Sequence, residues 1–285
     1  MRDQAESLRL MVAREKNPRG NVRVVTVTSG KGGVGKSSFS LNFAIALRQK
    51  GLRVVLVDAD FGLSNLDLMS DITPQWDLSH VLRRQKTLRE VVSAGPAGVG
   101  IISGGSGVGD LLDMSEHQLE RILGELFTLE EMADVIVFDT GAGISNSIIR
   151  LLRASGDVIL VTTPEPTAIM DAYALLKVLS HQRFDCTIKL VVNKADSLKE
   201  ADTTLLNLEK AAQSYLGMPV QRLGCIPTDP TVVKAVKQQV PLLLGFPTST
   251  AAQGVELITR RFLDLPVEPE KRGLARFFQT FFARE

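Results

Sequence analysis

The chain has 285 residues, 44% of them hydrophobic and 23% charged, which is the composition of an ordinary globular protein with a sizeable core. Its formal net charge of +1 excludes a general electrostatic attraction to nucleic acid, membranes or acidic substrates, so any such partner must be recognised by a local patch. No apolar run is long enough to span a membrane, and the charged amino-terminal residues do not resemble a secretory signal.

The two cysteines, Cys186 and Cys225, lie far apart in apolar settings, which favours buried thiols in a reducing compartment. We therefore expect a cytoplasmic protein.

The first twenty residues form a charged segment. Leu8, Met11 and Val12 have helical spacing, and Pro18 and Gly20 close the segment. So short a helix is marginally stable alone, so residues 1–20 are expected to be a weak helix or a solvated arm.

A glycine-rich loop follows a β-branched run that begins at Val22. Residues 30–37 fit the pattern G-x-x-x-x-G-K-[ST] of a phosphate-binding loop, and a helical pattern follows at once. Glycines let backbone N–H groups turn toward phosphate oxygens, Lys36 supplies an ammonium group and the Ser37 hydroxyl can bind Mg²⁺. We expect the nucleotide phosphates to be bound by Gly30, Lys31, Gly32, Gly33, Val34, Gly35, Lys36, Ser37 and Ser38.

Apolar runs and amphipathic segments alternate along the rest of the chain. Strands are predicted at residues 22–28, 53–57, 99–102, 134–138, 158–162, 188–192 and 220–225. Helices are predicted at residues 36–49, 115–131, 144–154, 168–182, 198–216, 231–238 and 250–263. This alternation predicts an α/β fold with a mostly parallel, doubly wound sheet, as a single domain over residues 21–265. Residues 72–98 are more irregular and charged, and we expect a pair of solvated helices there, with a partner surface as the alternative.

Acidic residues follow two of the predicted strands. Asp58 and Asp60 close one, and Asp139 closes another ahead of the glycines at 141 and 143. An aspartate after a run of apolar residues lies at the carboxyl edge of the sheet, where it can hold Mg²⁺ or its water. Asp139 is the candidate for that role, with helix capping as the alternative.

The predicted strand at 188–192 runs into Asn193-Lys194-Ala195-Asp196. N-K-x-D is a guanine-selecting motif, in which the aspartate accepts hydrogens from the base. This pattern alone indicates GTP as a candidate substrate.

The end of the chain changes character after Pro266. Five apolar residues repeat at helical spacing, with arginines opposite them: Leu274, Phe277, Phe278, Phe281 and Phe282. A helix of this kind over residues 266–285 either docks on the protein or lies in a membrane interface.

Taken together, these motifs resemble the MinD/ParA family of dimeric ATPases. Lys31, inside the phosphate loop, matches the family's signature lysine, which reaches across the dimer to the partner's nucleotide. Residues 58–67 resemble the family's switch I segment, and residues 139–143 its switch II. The resemblance implies that Asp60 positions the attacking water and helps to hold Mg²⁺, with Asp58 supporting the metal environment.

The resemblance also bears on the base, the tail and the amino-terminal arm. In this family the residue equivalent to Asn193 contacts adenine, and a turn matching Pro227 and Asp229 wraps the other side of the base, which favours ATP over GTP. MinD proteins end in a membrane-binding amphipathic helix, which favours that function for residues 266–285. The arm resembles the D-Q-A-x-x-L-R element of the FlhG (FleN) branch, which activates the partner GTPase FlhF, through Asp3, Gln4, Ala5, Leu8 and Arg9.

The expected function is therefore that of an ATPase that dimerises with ATP, binds Mg²⁺ and the inner face of the cell membrane, and regulates flagellar number and placement. The resemblance implies FlhF and either flagellar switch-complex (C-ring) proteins or flagellar transcription regulators as partners. The alternatives are a ParA-type DNA-partition ATPase, a metallocluster carrier and a nucleotide-gated scaffold. Near-neutral charge disfavours DNA binding, and the lack of a paired-cysteine motif disfavours a cluster.

Overall fold

A computed structural model describes residues 22–60, 65–105, 122, 124–182 and 186–266. Its centre is an eight-stranded sheet in the order β3-β4-β2-β5-β1-β6-β7-β8. The strands are β1 (Arg23–Ser29), β2 (Val54–Ala59), β3 (Ser93–Ala94), β4 (Gly100–Ile102), β5 (Val135–Ala142), β6 (Asp157–Thr162), β7 (Thr187–Ala195) and β8 (Val220–Pro227). All neighbouring strands are parallel except the short edge strand β3, which runs antiparallel to β4.

Helices connect the parallel strands and follow the last of them. They are α1 (Lys36–Gln49), α2 (Asn65–Ser70), α3 (Leu78–Leu82), α4 (Asn146–Ala154), α5 (Pro166–Ser180), α6 (Leu198–Leu216), α7 (Pro230–Lys237), α8 (Leu242–Gly245) and α9 (Thr250–Phe262). Short 3₁₀ turns occur at Pro96–Gly98 and Leu126–Leu129. No helix in the described part of the chain is long and apolar enough to cross a membrane.

The buried residues divide between the two faces of the sheet. Because successive side chains of a strand point to opposite faces, Val25 and Val137 pack with α1 and α9, whereas Ile136 lies with α3 and α4 on the other face. A third cluster joins α4, α5 and α6 to β6 and β7 on that same second face. The predicted doubly wound α/β fold is confirmed, with helices on both faces of a mostly parallel sheet.

The predicted strands all occur, each within a few residues of its expected limits. The predicted helix at 115–131 is described only in part, as helical residues at 122 and 124–125 followed by the 3₁₀ turn. The expectation of a solvated helix pair at 72–98 is wrong. This segment contains one short α-helix, α3, followed by β3 and a 3₁₀ turn, and it packs Leu78, Val81, Leu88 and Val91 into the core. Leu78 and Val81, like Leu88 and Val91, have helical i, i+3 spacing, but the charged residues around them made the segment resemble a solvated one.

Candidate functional site

The loop between β1 and α1 has the shape of an anion cradle. Gly33 and Gly35 have φ angles of 78° and 87°, in the left-handed region that favours glycine. Gly30 is required for a different reason, because a Cβ atom there would lie 2.3 Å from the backbone of Asp171 on α5. Glycine therefore suits positions 33 and 35 because of the backbone conformation, and position 30 because α5 lies so close.

The amino terminus of α1 is open to a ligand. Its N-cap is Gly35, which offers no side chain to the first-turn N–H groups, and no acidic residue lies in the first turn. Those N–H groups and the positive end of the helix dipole favour an anion at this position. Ser37 and Ser38 lie half-buried in this first turn, beside the cradle.

A buried ion pair lies beneath the loop. Lys36 Nζ is 2.9 Å from Asp139 Oδ1, and the two side chains are only 7% and 1% exposed. Ser40 Oγ donates to the same oxygen at 2.8 Å. Asp139 Oδ2 is buried and has no hydrogen-bond partner among the described residues. Since a buried carboxylate oxygen is costly to leave unpaired, this atom is suited to a metal ion or its bound water.

Two further carboxylates lie beside this pair. Asp58 on β2 is opposite Asp139 on β5 in the sheet register. Burial, and the negative charge of Asp139 beside it, raise the pKa of Asp58 well above its usual range. Asp60 is half-buried, and its Oδ1 lies over Gly141, where an added Cβ would be 3.2 Å away. The strand ends therefore bring Asp58, Asp60 and Asp139 together beside the phosphate loop.

This donor set fits Mg²⁺ bound together with a nucleotide. Among the described residues, no group of three or more His, Cys, Asp or Glu side chains could hold a metal alone. Mg²⁺ does not need such a cage, because it keeps several waters and binds one or two protein oxygens plus substrate phosphates. Ser37 Oγ and Asp139 Oδ2 are the atoms that would complete its coordination, directly or through water.

Lys31 is engaged within its own subunit. Its Nζ is 3.0 Å from Glu165 Oε2 and 2.8 Å from Thr167 Oγ1, at the start of α5, and the side chain is 37% exposed. An exposed pair of this kind is weak, at about 0 to 1 kcal/mol. The lysine can therefore leave this position at little cost.

The predicted base-binding segment is attached to the phosphate loop. Asn193 Nδ2 donates to Val34 O at 2.7 Å, and Lys194 Nζ donates to Gly33 O at 2.7 Å. Pro227 pairs with Ala195 at the ends of β8 and β7. The segment therefore lies against the phosphate loop, and the turn lies beside the segment.

Asp229 has a structural task that the sequence did not reveal. Its Oδ1 accepts hydrogen bonds from Thr231 N and Oγ1, and its Oδ2 accepts from Thr250 Oγ1 and Ala251 N. One carboxylate thus caps α7 and joins it to the start of α9. Since both oxygens are occupied, a base contact at this turn would come from the backbone or from Pro227.

Replacing Asp229 with alanine should lower the free energy of unfolding by about 2 kcal/mol at pH 7. Hydrogen bonds from Thr231, and then from Thr250 and Ala251, hold the pKa of Asp229 far below its usual range. A lowered pKa stabilises the fold above the unfolded-state value of about 3.9, and this stabilisation is lost as the pH falls below it. In urea unfolding, the difference in unfolding free energy between wild type and variant should therefore shrink between about pH 4 and pH 2.

Asp202→Ala, at an exposed position on α6, is the matched control. A difference in the free energy of unfolding that is as large at pH 2 as at pH 7 would contradict this role.

Three site residues were missed in the sequence analysis. Ser40 lies one helical turn after Lys36, so its spacing could have indicated it, but its contact with Asp139 depends on the sheet. Glu165 and Thr167 follow the end of β6, where ligand-binding residues collect in parallel sheets. Their contact with Lys31 joins residues more than a hundred positions apart.

Several predicted functional residues lie outside the described part of the chain. These are part of the switch I segment, at residues 61–64, and the two terminal segments with Asp3, Gln4, Ala5, Leu8, Arg9, Leu274, Phe277, Phe278, Phe281 and Phe282.

The two cysteines do not form a shared site within one chain. Neither forms a disulfide within the described part of the chain. Cys225 pairs in register with Val192 on β7, whereas Cys186 precedes the first residue of that strand. Six strand positions correspond to roughly 20 Å, which is too far apart for two ligands of one metal cluster.

Comparison with known proteins gives a consistent result. The ParA family, described as "NUBPL iron-transfer P-loop NTPase", matches residues 21–263. The antiactivator FleN of Pseudomonas aeruginosa is 37% identical over 257 residues, covering 90% of this chain and 92% of that protein. The flagellum site-determining protein YlxH of Helicobacter pylori is 33% identical, covering 93% of each. The septum site-determining protein MinD of Pyrococcus horikoshii, solved with Mg-ADP, superimposes with a TM-score of 0.71 at 24% identity, over 85% of this chain and 96% of that one.

Proposed function

Because the chain belongs to the MinD/ParA family of P-loop ATPases, we propose that it is an ATP-driven regulator of flagellar number and placement. The observation that carries the enzymatic part is the buried Lys36–Asp139 pair beneath an open phosphate loop. The flagellar part rests on the similarity to FleN and YlxH, which extends over more than nine-tenths of each of those proteins.

The side chains divide the work of ATP hydrolysis. Lys36 would exchange its contact with Asp139 for the β- and γ-phosphates, and the Asp139 carboxylate would then be available to hold Mg²⁺ or its bound water. Ser37 offers its hydroxyl to Mg²⁺, which would neutralise charge on the phosphates. Asp60, over Gly141, orients the attacking water, and the backbone N–H groups of the loop bind the phosphate oxygens.

Dimerisation supplies the remaining cation. In the proposed cycle Lys31 exchanges Glu165 and Thr167 of its own chain for the nucleotide of a second subunit. The exchange costs little, because the contacts it gives up are exposed. Turnover would then depend on two ATP-loaded subunits meeting, and the homodimer would be the active state.

Membrane attachment would follow from dimerisation. Each buried apolar side chain of the tail contributes about 1.5 to 3 kcal/mol, but ordering the tail costs about 1 to 2 kcal/mol per residue. One tail therefore binds marginally, whereas two tails on one dimer gain an avidity of about 100-fold or more. The dimer would lie on the inner face of the cell membrane, and hydrolysis would release it.

The partners follow from the same assignment. Residues 3–9 of the arm would stimulate the GTPase FlhF, and the core would contact flagellar switch-complex proteins or flagellar transcription regulators. An ATP-dependent dimer suits these tasks, because it presents two copies of each contact surface only while ATP is bound.

Liposome co-sedimentation of the full chain with ATP and with ADP tests the cycle. The wild type should pellet with ATP and stay in solution with ADP. Phe277→Glu combined with Phe281→Glu should abolish pelleting while nucleotide binding is retained, because two carboxylates cannot enter the apolar interface.

Phe127→Glu is the matched control, since Phe127 is 74% exposed on the folded chain and lies outside the tail. It should pellet like the wild type. Equal pelleting with ATP and ADP would refute the nucleotide-gated membrane cycle. Loss of nucleotide binding in the double variant would mean that the tail is part of the folded core.

A further inference from the structure

The segment at residues 193–196 is held in a fixed position relative to the phosphate loop. Asn193 and Lys194 each donate to a carbonyl of the phosphate loop, at Val34 and Gly33. Lys194 has a φ angle of 55°, so the backbone turns sharply there, and its N–H is held by Asn193 Oδ1 at 2.9 Å. A nucleotide whose phosphates occupy the loop would therefore place its base near the next residues of the segment, which end in Asp196.

Asp196 is held at this position from two sides. Thr228 Oγ1 donates to Asp196 Oδ1 at 2.8 Å, and Asp196 N donates to Glu200 Oε2 at 2.8 Å. Thr228 is itself attached to the segment, through a backbone hydrogen bond to Ala195 O at 2.9 Å. A carboxylate has about four acceptor positions, and the threonine hydroxyl uses one. The bond therefore orients Asp196 and leaves most of its acceptor capacity open.

An oriented carboxylate distinguishes the two purines. Guanine presents two parallel donors, N1–H and the 2-amino group, which match the two oxygens of a carboxylate. Adenine presents an unprotonated N1, which offers a lone pair and cannot donate. Asp196 is exposed, so beside adenine it can stay hydrated at little cost. This geometry adds affinity for guanine without excluding adenine.

We propose that the nucleotide site binds guanine nucleotides as well as adenine nucleotides, with Asp196 accepting hydrogens from N1–H and the 2-amino group of guanine. The proposal rests on the proposed function, because it assigns the base specificity of the same phosphate-binding site. Thr228 is a positioning residue in this assignment, since it acts on the base only through Asp196.

Isothermal titration of the full chain with ADP, GDP and xanthosine diphosphate, in the presence of Mg²⁺, tests the assignment. The wild type should bind GDP with a dissociation constant within about tenfold of that for ADP, and xanthosine diphosphate more weakly. Asp196→Asn should reduce the ratio of GDP to ADP affinity by at least about tenfold. The same variant should gain affinity for xanthosine diphosphate, because the asparagine amide can donate to the oxygen that replaces the 2-amino group.

Two further variants distinguish an effect on base recognition from a general loss of structure. Thr228→Val, which keeps the shape and removes the donor, should lower the GDP-to-ADP ratio several-fold, whereas a general loss of structure would weaken both nucleotides alike. Asp202→Asn makes the same chemical change at an exposed position on α6 and should leave all affinities unchanged.

The outcomes distinguish this proposal from the one it rests on. Binding of ADP without GDP would overturn dual specificity and leave the ATPase proposal standing. Binding of neither nucleotide would overturn both. Binding of GDP that is unchanged in Asp196→Asn would refute the role of Asp196.

Discussion

Lys36→Met should abolish measurable ATP binding and, in the nucleotide-free protein, lower the free energy of unfolding by about 3 kcal/mol. The first effect follows from the loss of the ammonium group that binds the phosphates, and ATP turnover should fall at least about 100-fold. The second follows from Asp139, whose carboxylate is 1% exposed and would lose its cation. Urea unfolding and nucleotide titration measure the two effects separately.

The double variant Lys36→Met with Asp139→Asn distinguishes the buried pair from other effects of the lysine. Removing the uncompensated charge should restore at least half of the lost stability, while nucleotide binding stays absent. Lys194→Met is the matched control, because it removes a lysine that contacts the same loop from an exposed position, and it should change stability by less than about 1 kcal/mol. A Lys36→Met protein as stable as the wild type would show that the pair does not hold the empty site together.

Mixing Lys31→Ala with Asp60→Ala protein should restore ATP turnover, although each variant alone is inactive. If Lys31 acts on the partner's nucleotide, the mixed dimer contains one complete site, with Asp60 from one chain and Lys31 from the other. Random pairing of equal amounts should therefore give about a quarter of the wild-type rate. If Lys31 acts within its own chain, neither site of the mixed dimer is complete and the mixture stays inactive.

Two controls belong to this experiment. Lys31→Ala should bind ATP like the wild type and lose less than about 1 kcal/mol of stability, because the contacts of Lys31 with Glu165 and Thr167 are exposed. Glu165→Gln weakens those contacts without altering the lysine, and it should leave the complementation intact. Wild-type ATP turnover by Lys31→Ala alone would contradict a role of Lys31 in hydrolysis.

Local sequence pattern was sufficient to predict the fold class and the strand, loop and helix that carry the proposed phosphate-binding site. A strand, a glycine-rich loop and a helix follow one another directly, so their geometry depends on neighbouring residues, and the structure begins α1 at the predicted Lys36. Asp139 was found because the end of a parallel strand marks a known edge of the sheet. The buried strands were evident for the same reason, since runs of β-branched residues need no distant partner to be recognised.

Long-range contacts decided what local pattern left open. Asp229 lies at a turn that suggested a base contact, yet its two oxygens hold α7 and α9. The apolar residues of 72–98 are buried because the segment packs against the sheet, a contact that its local sequence does not show. Lys31 is recognisable in the sequence, but its partners Glu165 and Thr167 are brought to it by β6 and α5.

Phosphate binding and base specificity differ in the same way, since the first depends on local sequence and the second on long-range contacts. The proposed phosphate-binding residues follow from the amino-acid pattern, because backbone N–H groups and a lysine of one short loop would make those contacts. In the proposed assignment, the base is selected by Asn193, Asp196 and Thr228, at the ends of two strands that meet only in the sheet. Tertiary structure decides such properties because hydrogen bonds between distant residues depend on positions that no local preference sets.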